Sequence, residues 1–280
     1  MLQFLATIGV VTEGPPRRFG LTALGECLRS GVPGSLRAWF VMNGPIHRAF
    51  FDDPLASVKT GRPAFEGVFG TDFFGYAAEN PEWGRTFDEA MTEVTGETAT
   101  AVLAAYSFDG LRRIVDVGGG RGHLLAALLS AYPEATGVLF DLPHVVADTP
   151  DTISAAGLVD RCDVVAGDFF DSVPEGGDAY VLSWIIHDWD DEDATAILAN
   201  CRRAMRDHGR LLLVEALRPT SGESGFDFAT ALDLVMLVAL GGRERTESEY
   251  ARLLADAGFT FMRVVPTASP MSVIEGTPAP

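Results

Sequence analysis

One stretch limits the folds open to this chain more than any other: Arg113 to Asp141, RIVDVGGGRGHLLAALLSAYPEATGVLFD. Ile114 to Val117 have the apolar-rich character of a short buried strand, and glycines follow at 118, 119, 120 and 122. Leu124, Leu125, Leu128 and Leu129 recur at helical spacing, Pro133 stops that helix, and Gly137 to Phe140 open a second strand ending in Asp141. Strand, glycine turn, helix, strand and acid describe a nucleotide-binding βαβ unit. A dinucleotide fingerprint starting at Gly118 would require glycine or alanine where this chain has His123. The chain instead reads D-x-G-x-G-x-G, with Asp116 inside the strand. A carboxylate there suits a ligand carrying an ammonium and a sulfonium and repels a pyrophosphate. Asp141, roughly 20 residues past the glycines, is placed to accept both hydroxyls of a ribose. These features point to S-adenosylmethionine. A glycine turn that only packed helix against sheet would need neither carboxylate.

The rest of the chain restricts the partners. Its 280 residues, 47% of them hydrophobic, are enough for one large domain or one with a smaller companion. A formal net charge of −18 repels nucleic acid and anionic membranes alike, and suits a cytoplasmic enzyme with a small neutral or aromatic substrate. Cys27, Cys162 and Cys201 form an odd, scattered set without a C-x-x-C pair, so neither a disulfide framework nor a zinc site is expected, and no metal-ligand spacing is visible. No apolar run reaches the roughly 18 residues of a membrane span. The opening MLQFLATIGVV lacks the basic start of a secretory signal and reads as the interior of a helix, so residues preceding it are expected in the full protein.

Leu2, Leu5 and Ile8 continue a helical stripe, and EGPPRRFGLTALG suggests a two-stranded wing followed by a helix, the remnant of a winged helix. With only Arg17 and Arg18 in the wing, oligomerisation is the favoured role over DNA contact. The segment from Ser35 to Tyr106 should be mostly helical, with aromatic and methionine side chains that could form core or the wall of a flat apolar pocket. Beyond Asp141, strands are expected at Val164–Ala166, Ala179–Ser183, Arg210–Val214, Phe259–Val265 and Met271–Ile274. Helices are expected at Asp191–Met205 and Thr230–Leu240, and from a capping box at Thr246 and Glu249 to Ala257. The tail from Gly276 looks unstructured. In open α/β sheets ligands sit beyond the carboxyl ends of the strands, so Gly118, Asp141, Asp168, Ser183 and Glu215 should converge on one crevice. His187, at its edge in SWIIHDWDDED, is a candidate general base.

DVGGGRG, FDLPHVV, GDFF, WIIHDWDDED, LLLVEALRP and GGRERTESEY, in this order, resemble the plant and bacterial small-molecule O-methyltransferase family, and within it the bacterial enzymes that tailor aromatic natural products. The resemblance runs from about Phe19 to the C-terminus. It implies an α/β fold with a Rossmann-like class I methyltransferase sheet, from residue 106 to 280. Ahead of it, a mostly helical, winged-helix-like region over residues 1–105 would serve dimerisation and close over the substrate. It further implies S-adenosylmethionine as cofactor, S-adenosylhomocysteine as product, a small aromatic acceptor, and a homodimer. Position by position, Gly118 would contact the cofactor, Asp141 its ribose, and Asp168 and Phe169 its adenine. Ser183, where plant members carry lysine, would make a shorter contact, and Phe74 and Thr95 would lie nearby. Phe87 and Met91 would meet the acceptor. His187 matches the family's catalytic base, with Glu215 and Glu244 as the carboxylates that bracket it.

An unperturbed imidazole of pKa about 6.5 is nearly 5 kcal/mol too weak to strip a phenol of pKa about 10, so His187 is expected to take the proton as the O–C bond forms. Glu215 or Glu244 would hold its tautomer. Other outcomes compatible with the same residues are methylation at nitrogen or carbon, cofactor-assisted hydroxylation, and a catalytically silent binding subunit.

Overall fold

The computed structural model describes all residues except 33, 148–149 and 221–225. Two antiparallel strands, β1 (Val11–Gly14) and β2 (Arg18–Leu21), form the expected wing, preceded by the helix Leu2–Thr7. Between Arg37 and Ala105 the chain is helical: Arg37–Asp52, Pro54–Thr60, Ala64–Phe69, Phe73–Glu79 and Pro81–Ala105.

The large sheet has seven strands: β3 (Arg113–Val117), β4 (Thr136–Asp141), β5 (Cys162–Ala166), β6 (Ala179–Ser183), β7 (Arg210–Ala216), β8 (Phe259–Pro266) and β9 (Met271–Pro278), in the order β5-β4-β3-β6-β7-β9-β8. The first five are parallel, and β9 runs antiparallel to β7 and β8. The chain moves outward from β3 to β5 and then returns to lay β6 beside β3. The order therefore reverses between β3 and β6, and the crevice of such a sheet opens at that point. The glycine turn leaves one side of it, and the His187 segment leaves the other.

Two apolar clusters cover the faces of the sheet. One gathers Ile114, Leu125, Leu129, Val181 and Val214 with Ala99 and Val102 from the end of the Pro81–Ala105 helix. The other gathers Val115, Leu182, Leu213, Ile197 and Leu254. Residues on alternate sides of one strand go to opposite clusters, as period-two burial requires. The helix Phe228–Ala239 joins the sheet to the helical region, with Leu232 and Met236 in the first cluster and Val238 and Ala239 against Ile46, Phe65 and Phe73.

The sequence misplaces some ends. The tail is not unstructured through Pro278: Gly276 pairs with Leu211 on one side and Phe261 on the other, and Thr277 and Pro278 pair with Thr260 and Phe259. At Gly276 the strand is held by both ladders, which overrides the poor strand propensity of glycine, whereas Thr277 and Pro278 pair with β8 alone. The Phe228–Ala239 helix begins two residues earlier than its periodicity suggests, capped by Asp227, whose Oδ1 accepts from Thr230 N at 2.7 Å. The capping box at Thr246 and Glu249 is present in both directions.

Candidate active site

The glycine turn is built by backbone geometry. Gly118 has φ of 69°, and an added Cβ would lie 2.5 Å from Ile185 Cδ1. At Gly120, with φ of 57°, an added Cβ would meet no atom within 4 Å, so the outer side of the turn is open to a ligand. Asp116 lies buried beneath the turn, its Oδ2 without a hydrogen-bond partner. Burial, then the charge of Asp141, pushes its carboxyl up to about 7. Asp141 ends β4 and grips the turn: Oδ2 accepts from Gly120 N at 2.8 Å and Oδ1 from Leu142 N at 2.7 Å.

Beside it, the loop after β5 carries Asp168 and Phe169. Asp168 Oδ1 accepts from Phe170 N at 2.8 Å, and the Phe169 ring packs edge-on against Phe170 and Trp189. Asn200, from the helix Asp191–Ala204, holds the loop by donating to the carbonyls of Phe169 and Phe170 at 2.7 and 2.9 Å. Ser183 ends β6 with its Oγ buried and unpartnered. Buried polar atoms ordinarily have partners, so Asp116 Oδ2 and Ser183 Oγ at one crevice fit a polar, cationic ligand.

After Ser183 the backbone turns sharply. Trp184 adopts φ of 59°, a left-handed conformation that is strained for a bulky residue. This turn directs the amides of Ile185 and Ile186 at Glu215, whose Oε1 accepts from them at 3.1 and 2.8 Å. It also carries His187, 3% exposed, into a ring of carboxylates. Nδ1 lies 2.7 Å from Glu244 Oε1 and 3.8 Å from Glu215 Oε2, while Nε2 lies 3.4 Å from Asp188 Oδ1. The two glutamates thus have different tasks: Glu244 orients the ring, and Glu215 chiefly supports the backbone of the turn. Asp188 also faces the ring.

Burial opposes charge on His187, but Glu215, Asp188 and Glu244 outweigh it and raise the imidazole to about 10. Burial likewise lifts Glu215 to about 7 and Asp188 to about 6, with the imidazolium pulling both back. An imidazole this basic carries its proton at neutral pH, so the neutral ring that could accept one is a small fraction there and grows in alkali.

Aromatic side chains extend from the histidine to the helical region. The Trp184 ring lies edge-on to His187 at 5.5 Å and to Trp39 at 6.3 Å. Trp39 packs with Met42, Ala90, Phe87 and Met91. Phe87 is stacked over Trp83 and meets Phe73 edge-on. Phe74 is 46% exposed, with Phe73 as its ring neighbour. Asn200, Trp184 and Arg245, whose guanidinium is wholly buried beside the histidine turn, were not singled out by the sequence. Arg245 adjoins Glu244 and Trp184 adjoins Ser183, but neither a positive φ at tryptophan nor a buried arginine has a sequence signature.

Comparison with known proteins agrees with this geometry. An O-methyltransferase domain model matches residues 51–260. The phenazine O-methyltransferase PhzM of Lysobacter antibioticus is 48% identical over 278 residues, covering 99% of this chain and 81% of the relative. O-demethylpuromycin-O-methyltransferase of Streptomyces alboniger is 44% identical, covering 99% of this chain and 75% of the relative. The crystal structure of NcsB1, an O-methyltransferase from neocarzinostatin biosynthesis in complex with S-adenosyl-L-homocysteine and 1,4-dihydroxy-2-naphthoic acid, superposes with a TM-score of 0.85 at 35% identity, covering 99% of this chain and 83% of that one. A sheet with this strand order, a glycine turn over a buried acid and a matching domain model lead to one conclusion: the chain belongs to the S-adenosylmethionine-dependent O-methyltransferase family.

Proposed function

We propose that this enzyme methylates a phenolic hydroxyl of a small multi-ring aromatic natural product, with His187 as general base. The observation that carries the reading is the 2.7 Å contact between His187 Nδ1 and Glu244 Oε1, in a buried ring of carboxylates at the switch point of the sheet. With Nδ1 engaged by Glu244, Nε2, beside Asp188, would be the nitrogen that meets the acceptor. Gly118, Asp141, Asp168, Phe169 and Ser183 would hold the cofactor, and Phe87 and Met91, reached through Trp39 and Trp184, would form the acceptor wall.

When bound, S-adenosylmethionine supplies a methyl group on a sulfonium, so that an O–C bond forms as a C–S bond breaks and S-adenosylhomocysteine leaves. The chain's own residues then have three tasks. The glycine turn and the aromatic wall hold the two reactants in line at near-attack distance, which can be worth roughly 7–11 kcal/mol. His187 Nε2 takes the phenolic proton, and Glu244 stabilises the resulting imidazolium through Nδ1. The aromatic wall excludes water. Incubation with S-adenosylmethionine and a panel of aromatic acceptors, read by mass spectrometry, tests the reading. A product heavier by one methylene supports it, whereas gain of one oxygen or no product in any phenol contradicts it.

We also infer a homodimer formed through residues 1–105, with residues 106–280 as the catalytic domain. Support comes from the apolar side chains of Leu2, Phe4, Ile8, Leu21 and Leu24, all exposed on the wing and its helices. Among the described residues no helix is long and apolar enough to cross a membrane. A cytoplasmic location accords with the unpaired cysteines.

A further inference from the structure

The segment from Gly242 to Arg245 runs along the turn that carries His187. At Gly242 a Cβ would collide with the carbonyls of His187 and Asp188, so only glycine permits the approach. Arg243 N donates to His187 O at 2.8 Å, and Glu244 holds the ring. Arg245 comes next, 0% exposed. Its Nη1 donates to Ile186 O and its Nη2 to Trp189 O, each at 2.9 Å, and its Nε donates to Asp191 Oδ1 at 2.9 Å. The two carbonyls lie on either side of His187, one residue before it and two after. A planar guanidinium can bridge them in this way; a lysine ammonium has no such fork.

We propose that Arg245 is a positioning residue for methyl transfer: its guanidinium ties both ends of the His187 turn and supplies the buried positive charge that offsets the carboxylates around the ring. The functional part of the proposal rests on His187 being the base. Three carboxylates meet the imidazole, Asp188, Glu215 and Glu244, and the other charged and titratable groups lie around the turn that carries it. Its own segment contributes Asp188 and Asp191, and β7 contributes Glu215. The neighbouring segment contributes Arg243, Glu244 and Arg245, and the helix Glu247–Asp256 contributes Glu249 and Tyr250. Asp233, from Phe228–Ala239, accepts from Glu244 N at 2.9 Å. Carboxylates outnumber arginines in this set, and burial with Glu215 and Glu244 keeps the Tyr250 hydroxyl well above its ordinary range, so it stays neutral. Arg245 is the cation with no exposed surface among them, and its charge is therefore the least screened.

The test is an NMR titration of the His187 ring in the isotope-labelled full chain saturated with S-adenosylhomocysteine. Arg245→Met should raise the His187 midpoint by about one unit, because the loss of a nearby positive charge favours the imidazolium. Arg245→Lys keeps the charge and should leave the midpoint within a few tenths of wild type, while turnover falls about tenfold through lost geometry. Asp191→Asn, at a side chain 62% exposed, should lower the midpoint by a few tenths of a unit. An unmoved midpoint in folded Arg245→Met overturns the role of Arg245. If Arg245→Met fails to fold, Arg245→Lys decides: wild-type turnover in the folded lysine variant overturns the positioning role. Turnover of a phenolic acceptor that survives His187→Ala overturns the base reading instead, and leaves the midpoint result standing.

Discussion

Replacing Glu244 by glutamine removes one charge beside His187 and leaves an oxygen in its place. The carboxylate oxygen lies 2.7 Å from Nδ1. Hydrogen bonds to charged groups contribute about 1.5–3 kcal/mol and neutral ones about 0.5–1.5, so the exchange should withdraw about 1.4 kcal/mol from the imidazolium, or about one pKa unit. Asp188 Oδ1 at 3.4 Å and Glu215 Oε2 at 3.8 Å remain, so the ring stays more basic than an ordinary histidine. Two consequences oppose each other. The rising limb of turnover against pH should move down by about one unit, since the neutral imidazole becomes available earlier. The weaker base, with a Brønsted exponent of about one half, should lower the alkaline plateau about threefold. The wild-type and variant profiles should therefore cross, with the variant equal or faster near neutrality and slower in alkali. Formation of S-adenosylhomocysteine, followed from roughly pH 7 to 11, measures both effects. A limb in the same place as wild type, with the variant folded, would refute the assignment of Glu244 as the charged partner of the base.

Asp116→Asn separates stability from cofactor binding. The buried carboxyl, raised to about 7, keeps a proton in the folded chain when the unfolded chain has already lost it, so wild type loses stability as pH rises from about 4 to 7. The asparagine variant should gain up to about 4 kcal/mol above that window and nothing below it, read by chemical denaturation at several pH values. Calorimetry should show weaker S-adenosylhomocysteine binding in the same variant. Gly118→Ala places a Cβ against Ile185 at a left-handed backbone position and should cost about 1–3 kcal/mol of stability together with most cofactor affinity. Phe87→Ala and Met91→Ala should raise the acceptor KM while leaving the cofactor Kd within about twofold, because each would remove uniform binding on one wall; a change confined to the cofactor would contradict the placement.

The sheet is legible because most of its strands are short apolar runs closed by glycine, acid or proline, and β6, closed by Ser183, has the ends its apolar run suggests. β9 extends past its apolar run because Gly276 is held on both sides, by Leu211 and Phe261, and Pro278 on one side by Phe259, information that does not lie in the local residues. The acids of the site could be named from spacing, but their tasks could not. Glu215 and Glu244 read as equivalent until the turn at Trp184 placed two amides on one and an imidazole nitrogen on the other. The basicity of His187 was likewise invisible, since it arises from three carboxylates brought together from β7, the turn itself and the segment after Gly242.

The central claim is that this histidine takes the proton from the hydroxyl being methylated. Its most direct test is single-turnover methyl transfer by His187→Ala, with S-adenosylhomocysteine affinity measured on the same preparation. Turnover should fall by about 10²- to 10⁴-fold with cofactor affinity unchanged. Turnover within a fewfold of wild type, or an equal loss of turnover and cofactor binding, would contradict it.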